Sequence, residues 1–397
     1  MQPGYTPIYK IMKGGIDITD RFNDRTTEIQ VDLKGGGGDS DTCKITVDDR
    51  DWKIATVEVG AKLEVYLGFK ETWLAQMGIF QVGTVDYVIM PKQIEIVGNS
   101  VGFTGAIKAP AIKNFENKKL GDVLNEIGAL KGASVYVDPE FRDIELPFVN
   151  QTSSPLHLLH ELERRFGAVA KFENDRLVFA KRDEGESTEG SETPVIELRP
   201  WHISKGFVRH TDRSQFDGVK VGWFDKDHVK QYAEVEDPNA SKEADGTTQQ
   251  DFYLSKQLGR SEAEAKMMAK SQMAMLKRAQ GEAHLTLAKG YPWIRDQMRT
   301  LLRGFRSEVN GSYVIDTVTH TFTKEPGIVT EILAKPPGTG EDYEGLDEGA
   351  FLRLGRQLPS LESVEAGKAP VVPEPIDKPD ASGAASPVVV DTTPVNV

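Results

Sequence analysis

At 397 residues the chain exceeds one ordinary core, and its 39% hydrophobic and 27% charged residues, with a mean hydropathy of -0.40, are the values of a globular protein of two or three domains. A formal net charge of -13 argues against a protein that clamps nucleic acid, because affinity for phosphate comes from Lys and Arg displacing counterions. No run approaches the roughly 20 apolar residues of a membrane helix and the start MQPGYTPIYKIMKGG lacks an apolar signal core, so residence in a cytoplasm without membrane insertion is expected.

From Tyr5 to about Phe103 short alternating runs (TEIQVDL, CKITVDDRD, KLEVYLGF, GIFQVGTVDYVI, KQIEIVGNS) are punctuated by Gly, Asp and Asn, which predicts an all-β barrel or sandwich over 1–105. NKKLGDVLNEIGALKG then changes period, placing Leu120, Val123, Leu124, Ile127 and Leu130 on one helical stripe with Gly132 as the stop. SSPLHLLHELERRFG offers Ser154 as N-cap, Pro155 at the first helical position and Gly167 past the end, and AVAKFENDRLVFAKR reads as a hairpin turning at Asn174-Asp175. These make an α+β insert which, with the acidic linker DEGESTEGSETP, covers 106–194. Strand text resumes over 195–335 around one long helix at about 261–280, capped by Ser261 and Glu264. After about Pro336 order is expected to run out: 341–397 carries 11 Asp or Glu against 4 Lys or Arg, a net of -7, and its end is rich in Pro, Ala, Ser and Val without a usable period. Within it Phe351, Leu352, Leu354, Leu358 and Leu361 are apolar enough to form a partner-binding arm over 346–364.

Candidate chemistry is thin. His157 and His160 share a helical face beside Glu161 and Glu163, but the order matches neither H-E-x-x-H nor its inverse and no second ligand cluster follows, so no metal site is assigned. Gly35 to Gly38 are followed by a strand instead of the Lys-Ser and helix of a phosphate loop, so they read as a flexible connection. The lone cysteine, Cys43, sits in strand text as a small buried residue, and His320 lies mid-strand on the side of Val314, Val318 and Phe322. Met267, Met268, Met273 and Met275 read as the apolar stripe of the long helix. No catalytic residue, cofactor or metal is expected.

Three stretches taken in order resemble the phage late control protein D family, the hub proteins of contractile phage tails and tail-like bacteriocins. They are DSDTCKITVDDRD with VGAKLEVYLGF and MGIFQVGTVDY, then KNFENKKLGDVLNEIGALKG, then GYPWIRDQMRTLLRGFRSEVNGSYVIDTVTHTFTKEPGIVTEILA. The resemblance spans about residues 5 to 335. It implies a mainly β fold with two tube-type β-barrel domains, 1–105 and 195–335, flanking the α+β insert and followed by an extended or disordered tail, 336–397. It implies a homotrimer that adapts a six-fold tail tube to a three-fold spike in the virion baseplate, assembled in the bacterial host cytoplasm and catalysing nothing. The implied partners are the tail tube or tube-initiator protein, the trimeric spike, baseplate wedge proteins and a tape measure protein, with DNA passing through the lumen without specific binding. The competing reading is a tail-tip peptidoglycan hydrolase or carbohydrate-binding module, for which Trp201 and Trp223 would have to meet carboxylates in one cleft.

Overall fold

The computed structural model describes residues 5–22, 25–36, 40–55, 57–100, 107–173, 176–182, 194–211, 216–237, 252–347 and 350–354. The linker residues 183–193 and the tail from 355 on, including Leu358 and Leu361, lie outside the described residues.

The chain opens with β1 (Pro7–Lys13), β2 (Ile16–Asp17), β3 (Thr26–Lys34), β4 (Thr42–Asp48), β5 (Lys62–Phe69), β6 (Leu74–Val88) and β7 (Gln93–Ser100). The insert follows as β8 (Lys113–Lys119), α1 (Leu120–Ala129), β9 (Ser134–Val137), α2 (Pro139–Arg142), β10 (Glu145–Gln151), α3 (Pro155–Phe166), β11 (Ala168–Glu173) and β12 (Arg176–Lys181). Then come β13 (Val195–Leu198), β14 (Ile203–His210), β15 (Gly218–Phe224), β16 (Lys230–Glu236), β17 (Phe252–Gly259) and α4 (Glu262–Arg278). The described chain ends with β18 (Gly281–Leu287), β19 (Arg299–Leu302), β20 (Gly311–Thr323), β21 (Ile328–Lys335) and β22 (Phe351–Arg353).

Fourteen of these strands form one sheet built from two halves with the same plan. The first half is ordered β3-β4-β7-β6-β5-β1 and the second β14-β18-β21-β20-β19-β13, so the first, second, third, fourth, fifth and sixth strands of each half occupy matching places. The register repeats as well. A bulge interrupts β6 against β7 between Val82 and Thr84, and its counterpart interrupts β20 against β21 between Ile315 and Thr317. A second matched pair of bulges lies between Thr26 and Glu28 in β3 and between Ile203 and Lys205 in β14. The halves differ at one edge: β1 runs antiparallel to β5, whereas β13 runs parallel to β19.

What joins the halves is β20, 13 residues long. Its first residues pair with β19, and past the bulge Thr317 to Thr323 pair antiparallel with Lys34 to Glu28 of β3. This corrects the expected pair of closed barrels. The far half of β20 is taken by a strand of the other half, and no pairing among the described residues brings β2, β14 or β22 round to close a barrel. A single apolar core runs under the joint, with Ile29, Val31 and Ile45 from the first half against Val318, Phe322 and Ile332 from the second.

The joint is tight at Gly35, whose N–H donates to the carbonyl of the bulged residue Asp316 at 2.8 Å. A Cβ at Gly35 would lie 2.9 Å from that carbonyl and press on the Gln297 amide, which itself donates to the Gly35 carbonyl at 3.1 Å. Gly35→Val is therefore expected to cost about 2 kcal/mol of folding stability, as overpacked positions do. Urea unfolding checks this, and an unchanged midpoint would show that the loop yields.

The two α+β units sit together beside the sheet. The insert buries Leu120, Val123, Leu124 and Ile127 of α1 against Leu158, Leu159 and Leu162 of α3. Ser154 caps α3, Gly167 ends it at φ 67°, and β11 and β12 meet as a hairpin. Leu130, expected on the α1 stripe, is exposed because the helix stops at Ala129. The second unit lies within 195–335. β15, β16 and β17 form their own sheet, and α4 packs Ala265, Met268, Ala269 and Met273 onto Val219 and Val221. Met275 is more than half exposed, outside that stripe. The capping carboxylate of Glu264 accepts from the N–H of Arg260, one residue earlier than a simple capping box requires.

Order also continues past Pro336. Tyr343 and Phe351 are buried with Val195, Leu301 and Val314, and β22 adds to β13 in parallel, Val195 opposite Phe351. Two aromatic rings filling a gap beside β13 and β19 supply the burial that composition alone does not advertise.

Candidate assembly surface

The joined sheet has one apolar and one polar face. Along β3, Ile29, Val31 and Leu33 enter the core, which places Gln30 and Asp32 on the opposite side. Across the joint Thr319 Oγ1 donates to Asp32 Oδ1 at 2.8 Å, and Thr42 Oγ1 donates to Asp32 Oδ2 at 3.1 Å. Farther along, Lys44 pairs with Glu95 at 2.8 Å and Thr286 Oγ1 donates to Glu331 Oε1 at 3.1 Å. A polar wall of threonines and hydrogen-bonded or ion-paired charged groups thus spans both halves. Over the second half it opens into a recess of about 550 Å³ lined in part by Lys205, His284, Thr317 and Glu331.

Two strand edges end this wall. Past its bulge, β6 outruns β5: Gln81 is opposite Lys62, and Thr84 to Val88 pair with β7 on one side only. Tyr87 near its end and Ile89 and Met90 in the turn just beyond are 58%, 73% and 81% exposed. β14 pairs with β18 on one side and has no partner on the other among the described residues, and most of its residues are exposed. Long exposed edges with apolar side chains are docking surfaces or liabilities. Alternation alone does not say which edges are free, although VDYVIM carries apolar residues on both faces of a strand where a free edge would carry charge.

No family model matches the chain. Over 219 residues it is 25% identical to the probable baseplate hub protein of Escherichia phage P2, covering 55% of this chain and 56% of that one. Over 218 residues it is 23% identical to the probable baseplate hub protein of Escherichia phage 186, again 55% and 56%. Over about half its length the chain is similar to phage baseplate hub proteins. The match spans about half the length of these curated relatives. The fold of a tail protein from Neisseria meningitidis is similar over 87% of this chain and all of that one, with a TM-score of 0.61 at 14% identity. These findings agree with the late control protein D resemblance read from the sequence.

In this chain the residues singled out for chemistry are dispersed. His157 and His160 lie on α3 in the insert, His157 exposed and His160 half-buried. Trp201 is exposed beside β14, with the Arg199 guanidinium over its ring, while Trp223 packs in the separate sheet of β15. Cys43 is buried in the shared core, and burial pushes its thiol far up. Phe351, Leu352 and Leu354 are buried in this chain's own structure, and the Leu354 carbonyl accepts from His202 Nε2 at 3.1 Å.

His320 is architectural. Fully buried beside the joint, it donates from Nε2 to the Ile294 carbonyl at 3.0 Å, and its Nδ1 accepts from Thr330 Oγ1 at 3.0 Å. Thr330 Oγ1 in turn accepts from the N–H of Tyr291 at 2.9 Å. The neutral ring thereby ties the 288–298 loop to the β20–β21 hairpin. Burial pushes its pKa from 6.5 down to about 3. The unfolded chain takes up that proton near pH 6.5 and the folded chain only near pH 3, so this contribution is fully present above about pH 7. It falls with pH through that window, by about 2 kcal/mol at pH 5. Unfolding series at pH 7.5 and 5 check this: the drop should shrink in His320→Gln, and an equal drop in both proteins would remove His320 as its cause.

Proposed function

We propose that the protein is a structural hub of a contractile phage tail or tail-like particle, located in the virion baseplate and performing no catalysis. The observation that carries this reading is the doubled half-sheet, because a chain with two equivalent halves lets three copies present six similar units. The ring would then match a six-fold tube on one side and a three-fold spike on the other. The domain division that goes with this reading is 1–105 and 195–335 for the two tube-type units, 106–194 for the insert and linker, and 336–397 for the tail. The tube or tube-initiator protein, the trimeric spike, wedge proteins and a tape measure protein are the proposed neighbours.

The polar wall suits the inner surface of the ring. Its Lys44 is paired with Glu95 and its threonines are small, so a polyanion such as DNA could pass without being held. The wall-hydrolase or sugar-binding reading gains nothing from Trp201 and Trp223, since Trp201 lies in the 3-10 turn before β14 and Trp223 in the separate sheet of β15. Within the tail, 346–364 is proposed to meet a neighbour through backbone and exposed positions, since Phe351, Leu352 and Leu354 are already occupied in this chain. Quantitative mass spectrometry of purified particles tests the proposal: three copies per tail, retained in isolated baseplates, are expected, and absence from the particle would overturn it.

A further inference from the structure

We propose that the hub ring is closed by one specific pair of strand edges: residues 84–90, at the end of β6 of one copy, run antiparallel to β14 of the next copy, in the register that β20 and β3 use within the chain. This deepens the hub reading and rests on it. The matching strand orders make β6 the counterpart of β20 and β14 the counterpart of β3. The two pairs of matched bulges fix the alignment to the residue. Thr84, Val85, Asp86 and Tyr87 occupy the places of Thr317, Val318, Thr319 and His320. Val208, Arg209 and His210 occupy the places of Val31, Asp32 and Leu33.

Burial points the same way. His320 and Phe322, which β3 covers, are 0% and 5% exposed, whereas their counterparts Tyr87 and Ile89, with no strand on the side that β3 takes in the other half, are 58% and 73% exposed. Transferring the Thr319–Asp32 register places Asp86 opposite Arg209 of the neighbouring copy and Tyr87 opposite Val208 of the neighbouring copy. The first pair joins opposite charges where the intrachain joint has a Thr319–Asp32 hydrogen bond. The second closes the apolar face. Both edges belong to every copy and neither can reach the other within one sheet, so the contact runs head to tail, and such a contact closes into a ring where its rotation divides a full turn, as the three-fold hub reading requires. The polar wall would then continue unbroken from copy to copy.

Paired cysteines test the register, because directly opposed residues of antiparallel strands lie within disulfide reach and diagonal ones do not. Asp86→Cys and Arg209→Cys are combined in one chain, with buried Cys43 left in place, and compared with Asp86→Cys combined with Phe207→Cys. Oxidation of the first is expected to give covalent rings on non-reducing gels, at least tenfold more cross-linked chain than the off-register pair, with native mass unchanged. An oligomer of unchanged native mass in which the two pairs cross-link equally, or not at all, would overturn the strand assignment and leave the hub reading intact. A chain that stays monomeric inside purified particles would overturn the hub reading itself. Charge reversal gives a second readout: Asp86→Lys and Arg209→Glu should each weaken self-association at least tenfold, and the combined variant should recover it. Failure of the combined variant to recover would remove the Asp86–Arg209 pair.

Discussion

A chain truncated after Pro337 is expected to lose several kcal/mol of stability and to expose the β13–β19 edge of the second half. The deletion removes Tyr343, Phe351, Leu352 and Leu354, all buried, and uncovers Val195, Leu301 and Val314. Loss of a buried aromatic ring costs about 3–5 kcal/mol by itself, and part of the total is returned as conformational entropy of the freed segment. Ser312 Oγ also loses the Tyr343 N–H that donates to it at 2.8 Å, and His202 loses the Leu354 carbonyl. Thermal unfolding with a dye that reports exposed apolar surface measures the effect, and the full-length Tyr343→Ala/Phe351→Ala variant should move in the same direction. An unchanged melting temperature in both would mean that the segment is not part of the folded unit.

Glu264→Ala should be comparably severe. Glu264 is fully buried, its carboxylate pairs with Arg165 Nε of α3 at 2.7 Å and accepts from the N–H of Arg260 at 2.6 Å. It therefore couples the insert to the second α+β unit, where Ser271 Oγ adds a bond to the Arg164 carbonyl at 3.1 Å. Removing the anion leaves the Arg165 and Arg260 guanidinium groups side by side in a partly buried place, and breaking such a pair from one end costs about 3–5 kcal/mol. Glu264→Gln keeps an acceptor for Arg260 and should fall between the variant and the parent. A loss under about 1 kcal/mol for Glu264→Ala would show that the two units are held by their apolar contacts alone.

The local rules of the chain were legible in its sequence. Alternation found the strands of the first half, and Ser154, Pro155 and Gly167 bounded α3 as side-chain capping and a left-handed terminus require. His320 fell on the apolar side of its strand as alternation demanded. The rest depends on pairings between distant residues. Nothing near Thr317 announces that Lys34 lies opposite it, and the bulges that align the two halves are properties of ladders. Tyr343 and Phe351 sit in an acidic, Pro-rich neighbourhood whose composition hides two core side chains. The free edge of β6 was written in VDYVIM, but it means an interface only once β5 is known to end before it.

The central claim is that equivalent halves build a closed ring, and electron cryomicroscopy of the hub in purified baseplates tests it most directly. The account predicts three copies around a three-fold axis, with six similar sheets lining one channel, the polar wall inward and β6 beside β14 at each of the three subunit boundaries. A different copy number, or a ring with the Asp32 face turned outward, would contradict it.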